Sequence, residues 1–259
     1  MQGADAGNPH KDATAVRKAL LILEAFDGPQ KTLGVTELSK QLSMPKPTIH
    51  RLLTDLVDAG FVDKLPWGRY QVGMRLFELG TLARGPATLR SLALPHLHSL
   101  YRDTGYTVYL TVTDQGHAVQ IERLPAPNRP QIQARWGGRW SLHCSSGGKV
   151  LLAFGAADLE SYVAHIVPLT KYSIRDEAHL CAELDTVRAQ GYALSQQESL
   201  LGVYGVAVPV YDSKRTVAAA VGIAGHEHSI TGLIPAVLKA GKVVSAELSR
   251  QHWTEKSTS

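Results

Sequence analysis

Residues Thr36–Gly73 read TELSKQLSMPKPTIHRLLTDLVDAGFVDKLPWGRYQVG, and their pattern predicts two short helices followed by a β-hairpin. Thr36 is a natural N-cap for a first helix over Glu37–Leu42. Ser43 and the two prolines after it oppose continuation of that helix. A second helix follows, and its apolar side chains recur at the spacing of one buried stripe. These side chains are Ile49, Leu52, Leu53, Leu56 and Val57.

The hairpin that follows turns at Pro66–Gly68, between two runs of strand-forming residues. Two helices around a tight turn, with a hairpin directly after them, are typical of a winged helix-turn-helix. A small helical domain with ordinary solvated charges is the alternative. The basic side chains of Lys46, His50 and Arg51 precede the first acidic one, Asp55, which favours DNA binding.

Eight residues are predicted to contact DNA. The second helix would face the major groove, and the hairpin would contact phosphate or the minor groove. The predicted contacts are Lys46, Pro47, Thr48, His50, Arg51 and Thr54 on the helix, with Lys64 and Arg69 on the hairpin. Residues 11–75 carry ten Lys and Arg against seven Asp and Glu. Affinity is therefore expected from a few placed phosphate contacts, shared between two copies of the chain.

The whole chain has 259 residues, 44% of them hydrophobic and 19% charged, which suits two globular domains. Its first fifteen residues are polar, and no apolar run approaches the roughly 20 residues of a membrane helix. We expect a cytoplasmic protein without membrane contact. Cys144 and Cys181 lack a CxxC spacing and are expected to be free thiols. Two His-x-His pairs, beginning at His96 and His226, have no third ligand at a recognised interval, so neither a metal nor a cofactor is predicted.

Four segments are predicted along the chain. Residues 1–13 form a disordered tail, 14–75 the DNA-binding domain, 76–87 a linker helix, and 88–259 a domain for effector binding and oligomerisation. A helix over Met74–Arg84 is expected to end at Gly85 and Pro86. Pro95 is expected to kink or restart the helix that follows, over Thr88–Asp103.

Beyond Gly105 the apolar period changes from 3.6 to 2, which indicates strands. Strands before and after helices, joined mostly as hairpins, predict an α+β domain around an antiparallel sheet. The predicted strands are Thr107–Val112, Ala118–Arg123, Gln131–Arg135, Val203–Tyr211 and Thr216–Ala224. The predicted helices are Gly147–Phe154, Ala157–His165, Ala178–Gln190 and Leu233–Gln251.

Six short motifs, in order over residues 14 to 252, resemble those of IclR-type bacterial transcriptional regulators. They are Ala19–Ala25 (ALLILEA), Thr36–Ser39 (TELS), Pro45–Leu53 (PKPTIHRLL), Gly68–Gly73 (GRYQVG), Ser146–Ala153 (SGGKVLLA) and Arg188–Tyr192 (RAQGY). The resemblance implies a winged helix-turn-helix, a linker helix and an effector domain related to the GAF and PAS folds. It also implies a homodimer or dimer of dimers, a pseudo-palindromic DNA operator and a small-molecule effector.

Two departures from the family pattern stand out. Ser43 occupies a turn position that is usually Gly. Val221–Gly225 offers only small apolar residues, on a strand where the family often has polar ones.

Ser145–Lys149 lacks the first Gly and the final Ser or Thr of a phosphate-binding loop, so nucleotide binding is not expected. A helix starting near Ser146 could instead hold a carboxylate with its free backbone N–H groups. Alternatively, its glycines only allow close packing on the sheet. The resemblance favours a ligand there, with Ser195 where the family often supplies a polar contact. The predicted effector contacts are Trp140, Leu142, Ser146, Gly147, Ser195, Val203, Gly205, Gly222 and Ala224. A Trp beside small apolar walls predicts an aromatic or otherwise bulky organic acid.

The enzymatic alternative rests on His143 and Cys144, a base beside a thiol. Adjacent residues of an extended segment point to opposite faces, so His143 cannot easily activate its neighbour, and no catalytic residue is predicted. A small-molecule binding or catalytic domain with an N-terminal oligomerisation module is the runner-up to a transcriptional regulator.

Overall fold

A computed structural model describes residues 13–26, 32–82, 84–126, 128–130, 132, 138–164 and 166–250. The chain divides into two compact units, Met1–Arg84 and Gly85–Ser259. Both mix helices with antiparallel sheet, which confirms the predicted α+β class. The tail predicted over residues 1–13 lies almost entirely outside the described residues.

The first unit is a winged helix-turn-helix, as predicted. Its elements are α1 Ala15–Ala25, β1 Leu33–Gly34, α2 Val35–Gln41, α3 Lys46–Asp58, β2 Val62–Lys64 and β3 Arg69–Val72. The strands form an antiparallel sheet in the order β1-β3-β2. The core takes Ile22 from α1, Leu38 from α2 and Ile49 and Leu53 from α3, all four fully buried. Burial of the predicted stripe fixes which face of α3 remains outside.

Helix α2 differs from the prediction at its start. The N-cap of α2 is Gly34 and not Thr36, because the carboxylate of Glu37 reaches back to accept the Gly34 N–H at 2.6 Å. At the other end Ser43 has φ +50, in the left-handed region. The turn therefore forms with Ser, in a conformation that Gly adopts at lower cost.

The helix predicted over Met74–Arg84 is shorter, α4 Met74–Gly80, and the helix predicted over Thr88–Asp103 starts earlier, as α5 Arg84–Thr104. The helical break thus precedes Gly85 and Pro86. A proline in the first turn of α5 lacks only an N–H that has no partner within the helix. The α5 helix also continues through Pro95, where a kink or restart was predicted.

The second unit is built on one six-stranded antiparallel sheet in the order β6-β5-β4-β9-β8-β7. Its strands are β4 Thr107–Asp114, β5 His117–Leu124, β6 Arg139–Ser141, β7 Ala193–Gln196, β8 Tyr204–Tyr211 and β9 Val217–Gly225. Its further helices are α6 Ser146–Ala153, α7 Leu159–Val163, α8 Glu177–Gln190 and α9 Ile234–Arg250. The four longer strands and the helices confirm the prediction, whereas the short β6 and β7 were not predicted. The strand predicted over Gln131–Arg135 falls outside the described residues except at Ile132.

The two faces of this sheet carry separate cores. Alternate residues of β4 divide between them: Val108 and Leu110 pack with α5 and α9, whereas Tyr109 packs with α6 and α8. By length and composition, His228–Arg250 would suffice to cross a membrane. Within this segment Val237 and Val244 are fully buried against the sheet, and 28% of the apolar window is buried.

Candidate DNA interface and effector pocket

The outer face of α3 carries the residues that were predicted for the major groove. Five of the six are exposed and Thr48 is half-buried. Their shared face follows from the burial of Ile49, Leu52 and Leu53 on the opposite side. Pro47 lies in the first turn, where a missing backbone N–H costs nothing.

The charges on this face are only loosely held. Arg51 pairs with Asp55 at 3.6 Å, and both side chains are 63% exposed. An exposed i, i+4 ion pair of this length contributes little and is screened by salt. The guanidinium can therefore exchange this partner for a DNA group at small cost.

The two hairpin residues predicted to contact DNA differ in their surroundings. Lys64 is exposed on β2. Arg69 instead turns into its own domain: it pairs with Glu37 at 2.7 Å and also donates to Thr32. The pKa of Glu37 is lowered by the Gly34 N–H and by Arg69. Arg69 thus ties β3 to the start of α2, and we leave it out of the interface.

A pocket with about 50 Å³ of cavity volume lies between the sheet and the start of α6. Seven of the nine predicted effector contacts line it: Trp140, Ser146, Gly147, Ser195, Val203, Gly205 and Ala224. Sequence reasoning therefore located the pocket, although none of these residues is thereby shown to bind a ligand.

The other two predicted contacts, Leu142 and Gly222, do not line the pocket. Leu142 is fully buried in the apolar core around α6. A Cβ at Gly222 would lie 2.4 Å from the hydroxyl oxygen of Tyr109, so the glycine leaves room for that ring. Gly222 thus makes space for the Tyr109 ring. The hydroxyl of Tyr109 places a polar group over β9, whose own residues Val221–Gly225 are apolar.

Ten lining residues were not predicted, and most are polar or aromatic. They are Thr107, Tyr109, Thr111, Ala118, Gln120, Arg123, Ile132, Ser145, Ser199 and Tyr204. The alternation of Thr107, Tyr109 and Thr111 along β4 could have revealed three of them, because alternate residues share one face. These side chains add hydroxyl, amide and guanidinium groups to a lining that the sequence predicted as mainly apolar.

Arg123 reaches the pocket only because β5 is irregular. Thr111 pairs with Gln120, but Tyr109 pairs with Arg123, so one extra residue is inserted at Ile121. Such a bulge moves the following side chains to the opposite face. Gln120 and Arg123, three positions apart, therefore share the face of Tyr109, which strict alternation would forbid.

The start of α6 is already hydrogen-bonded from within the protein. Ser145 accepts the Gly148 N–H at 3.2 Å, and the Tyr109 hydroxyl lies 2.7 Å from Ser146 Oγ. Burial raises the pKa of Tyr109 to about 12, although bonds from Ser146 and the Gly147 N–H oppose part of this rise. The backbone donors that were expected to hold a carboxylate are thus partly occupied.

The serine hydroxyls around α6 also donate inward. Ser195 and Ser199 both donate to the carbonyl oxygen of Cys144, at 2.8 and 2.6 Å. Ser145 donates to the carbonyl oxygen of Ser141 at 2.9 Å. Because a hydroxyl has one proton, these serines face a ligand mainly as acceptors.

Lys149, on the second turn of α6, is a structural cation. Its ammonium is 2% exposed and lies 2.8 Å from Glu183 and 2.8 Å from Glu198. Burial raises the pKa of Glu198, and Lys149 opposes that rise. Its commitment to two carboxylates agrees with the rejection of a phosphate-binding loop.

His143 and Cys144 do not form a nucleophile with its base. The His143 ring bonds the Tyr162 hydroxyl through Nδ1 at 2.6 Å, and burial lowers the pKa of this histidine. Burial also raises the pKa of the Cys144 thiol, so the reactive thiolate is disfavoured. Within the described part of the chain, no three His, Cys, Asp or Glu side chains gather as they would around a metal ion.

Comparison with known proteins agrees with both units. The model of the IclR helix-turn-helix domain matches residues 15–66, and that of the bacterial transcriptional regulator IclR C-terminal region matches residues 84–249. The HTH-type transcriptional regulator XynR of Escherichia coli (strain K12) is 34% identical over 213 residues, 81% of this chain and 84% of that protein. The glycerol operon regulatory protein of Streptomyces griseus is 30% identical over 247 residues, 92% of this chain and 97% of that protein.

Among solved structures, an IclR homolog from Microbacterium hydrocarbonoxydans, complexed with 4-hydroxybenzoate, has the same fold. Its TM-score is 0.81 at 22% sequence identity, over 92% of this chain and all of that one. The matched relatives are DNA-binding transcriptional regulators and not enzymes. The chain belongs to the IclR family of bacterial transcriptional regulators.

Proposed function

We propose that this regulator acts in the cytoplasm, reads its operator with the outer face of α3 and responds to a small aromatic acid bound in the sheet pocket. The proposed DNA binding rests on the two faces of α3: one is a buried apolar stripe, and the other is exposed and carries Lys46, His50 and Arg51. Lys64 on the hairpin would contact phosphate.

The proposed DNA-binding form is a dimer. Exposed apolar side chains of the first unit support it: Val16 on α1, Met74 and Phe77 on α4, and Leu82 just after α4 are each 67–71% exposed. Large apolar side chains left in solvent mark interaction surfaces where they are contiguous. A second copy seated on them gives two recognition helices related by a two-fold axis, or four in a dimer of dimers. The operator would then be pseudo-palindromic, with half-sites about one helical turn apart.

The proposed effector follows from the shape and chemistry of the pocket. Trp140, Tyr109 and Tyr204 give it aromatic walls, and several hydroxyls and one guanidinium give it polar ones. A planar ring bearing a carboxylate suits such a mixture. The relative crystallised with 4-hydroxybenzoate supports the choice of that compound as the first probe.

Arg51→Ala tests the interface through fluorescence anisotropy of the full chain on a duplex selected in vitro. Loss of one base contact should weaken binding by about 1–3 kcal/mol and relax specificity at one base pair. Asp55→Ala is the matched control, since it breaks the same ion pair but keeps the guanidinium. Its affinity should equal or exceed that of wild type. Equal binding by Arg51→Ala would remove the recognition-helix assignment, and absence of DNA binding by wild type would favour a purely ligand-binding role.

A further inference from the structure

We propose that the effector carboxylate is bound by Arg123 on β5, and not by the start of α6 where the sequence suggested it. This inference rests on the proposed function, because it assigns an orientation to the same aromatic acid. Among the described residues that line the pocket, Arg123 is the one with a formally charged side chain at neutral pH. An anion entering the pocket therefore meets one full positive charge.

Two buried polar atoms beside Arg123 point to the same end of the pocket. Gln120 Oε1 and Trp140 Nε1 are buried and have no hydrogen-bond partner in the structure described here. Gln120 is 9% exposed. Trp140 pairs with Ala118 across β5 and β6, which puts it diagonally beside Gln120 on the same face. Buried polar groups normally have partners, so two without one in a pocket wall indicate a missing ligand.

A carboxylate provides the acceptor that the Trp140 N–H lacks, whereas the Gln120 amide has to turn before it can donate to one. The indole N–H of Trp140 is a donor only and suits an anionic oxygen. Gln120 can turn its amide so that Nε2 donates, since this terminal torsion has two comparable orientations. Arg123 already donates to the carbonyl oxygen of Ile132 at 2.9 Å, which holds the guanidinium in place. Charge-assisted bonds from arginine are stronger than those from neutral donors.

The opposite end of the pocket suits a neutral group. The hydroxyls of Ser145, Ser195 and Ser199 donate to main-chain carbonyls. The hydroxyls of Tyr109 and Ser146 form a hydrogen bond in which either can donate, so they can rearrange around a ligand hydroxyl. That end therefore offers acceptors and weak donors but no charge, which fits the hydroxyl of a hydroxylated aromatic acid.

The two ends lie on different strands of the sheet. The start of α6 lies over β8 and also over β4, because a Cβ at Gly205 would come within 2.7 Å of Ser146 Oγ and one at Gly147 within 3.4 Å of Thr111. Arg123 lies on β5, beyond β4, at the side of the pocket away from β8.

Electrostatics favours the same orientation. Burial lowers the pKa of the Arg123 guanidinium, which means that the pocket wall penalises its charge. A bound carboxylate would compensate that penalty. The ligand class is accordingly a monocarboxylate on an aromatic ring, with a neutral hydroxyl on the far side.

The test compares 4-hydroxybenzoate with its neutral analogue 4-hydroxybenzamide by calorimetric titration of the full chain. Wild type should prefer the acid by about tenfold or more, the value of a hydrogen bond to a charged group. Arg123→Gln should lose that preference while keeping its affinity for the amide. Ser146→Ala should keep the preference, and Arg123→Lys, which retains the charge, should keep part of it. Unfolding midpoints in urea establish that each variant is folded.

Three outcomes overturn the proposal. If Ser146→Ala abolishes the acid preference and Arg123→Gln preserves it, the carboxylate lies at α6, and the aromatic-acid function survives. If wild type binds acid and amide equally, no charged contact exists at either end. If wild type binds neither compound, the aromatic-acid effector itself is wrong and this orientation falls with it.

Discussion

Lys46 and Lys149 carry the same charge in opposite surroundings. Lys46 begins α3 and is exposed to solvent. Lys149 is 2% exposed and held between Glu183 and Glu198. Lys46 is accessible to an external phosphate, whereas Lys149 is neutralised by two carboxylates of the same chain. Burial between two carboxylates therefore separates the structural lysine from the one that can contact DNA.

The same contrast separates the two sites as a whole. The polar groups of the α3 face are loosely held, as the 3.6 Å pair of Arg51 with Asp55 illustrates. Around α6, serine hydroxyls, Tyr109 and Lys149 are fixed by internal bonds. Polar groups on a DNA-binding surface can be hydrogen-bonded by water, but those in a buried pocket need partners within the protein.

Replacing each lysine by Ala tests the difference between Lys46 and Lys149, with the largest expected effect at Lys149. Lys149→Ala should destabilise the second unit by about 3–5 kcal/mol, because it leaves two carboxylates facing each other at a buried site without their cation. Lys46→Ala should change the free energy of unfolding by less than about 0.5 kcal/mol and weaken DNA binding almost uniformly across sequences. Urea unfolding and anisotropy measure the two effects.

Lys149→Met is the companion variant, since it restores apolar volume but not charge. If it is as stable as wild type, Glu198 takes up a proton at little cost and Lys149 is not the structural cation described here. Equal destabilisation by Lys46→Ala and Lys149→Ala would contradict the comparison outright.

The stability of the protein at high pH tests the burial of Tyr109 beside α6. Its pKa is raised to about 12 in the folded protein, against about 10 in an unfolded chain. Between these values the unfolded state has lost the proton and the folded state retains it, so folding stability falls as pH rises. The contribution is complete below pH 10 and should decline by about 2–3 kcal/mol towards pH 12.

Tyr109→Phe removes this titration while keeping the ring above Gly222. The difference in unfolding free energy between wild type and variant should therefore be constant up to about pH 9 and shrink in favour of the variant above pH 10. Parallel profiles over the whole range would show that the phenol is not buried as described.

Sequence pattern predicted most of the first unit because its signals are local. One buried stripe on α3 fixes the face that carries Arg51, and the turn at Pro66–Gly68 fixes the hairpin. The misassigned positions depend on contacts between distant residues. Arg69 was expected to face DNA, but its partner Glu37 lies 32 positions away. The cap of α2 moved to Gly34 because the same carboxylate reaches back to it.

The pocket was predictable at the start of α6 and on β7 to β9, but not on β4 and β5. The helix start marked Ser146 and Gly147, and the family resemblance together with the glycines of the later strands marked Ser195, Gly205 and Ala224. Arg123 could not be found by alternation, because the bulge at Ile121 reverses the face of β5. Leu142 was misassigned because β6 ends at Ser141, so the alternation that includes Trp140 does not extend to it.

The most direct test of the central claim measures whether the two sites are coupled. The full chain is titrated onto its selected duplex with and without saturating 4-hydroxybenzoate, and Arg123→Gln is measured alongside. The account predicts that the acid shifts wild-type DNA affinity by about 5–150-fold, a coupling of about 1–3 kcal/mol, and that DNA shifts acid affinity by the same factor. Superimposable DNA-binding curves at an acid concentration that calorimetry shows to be saturating would contradict it.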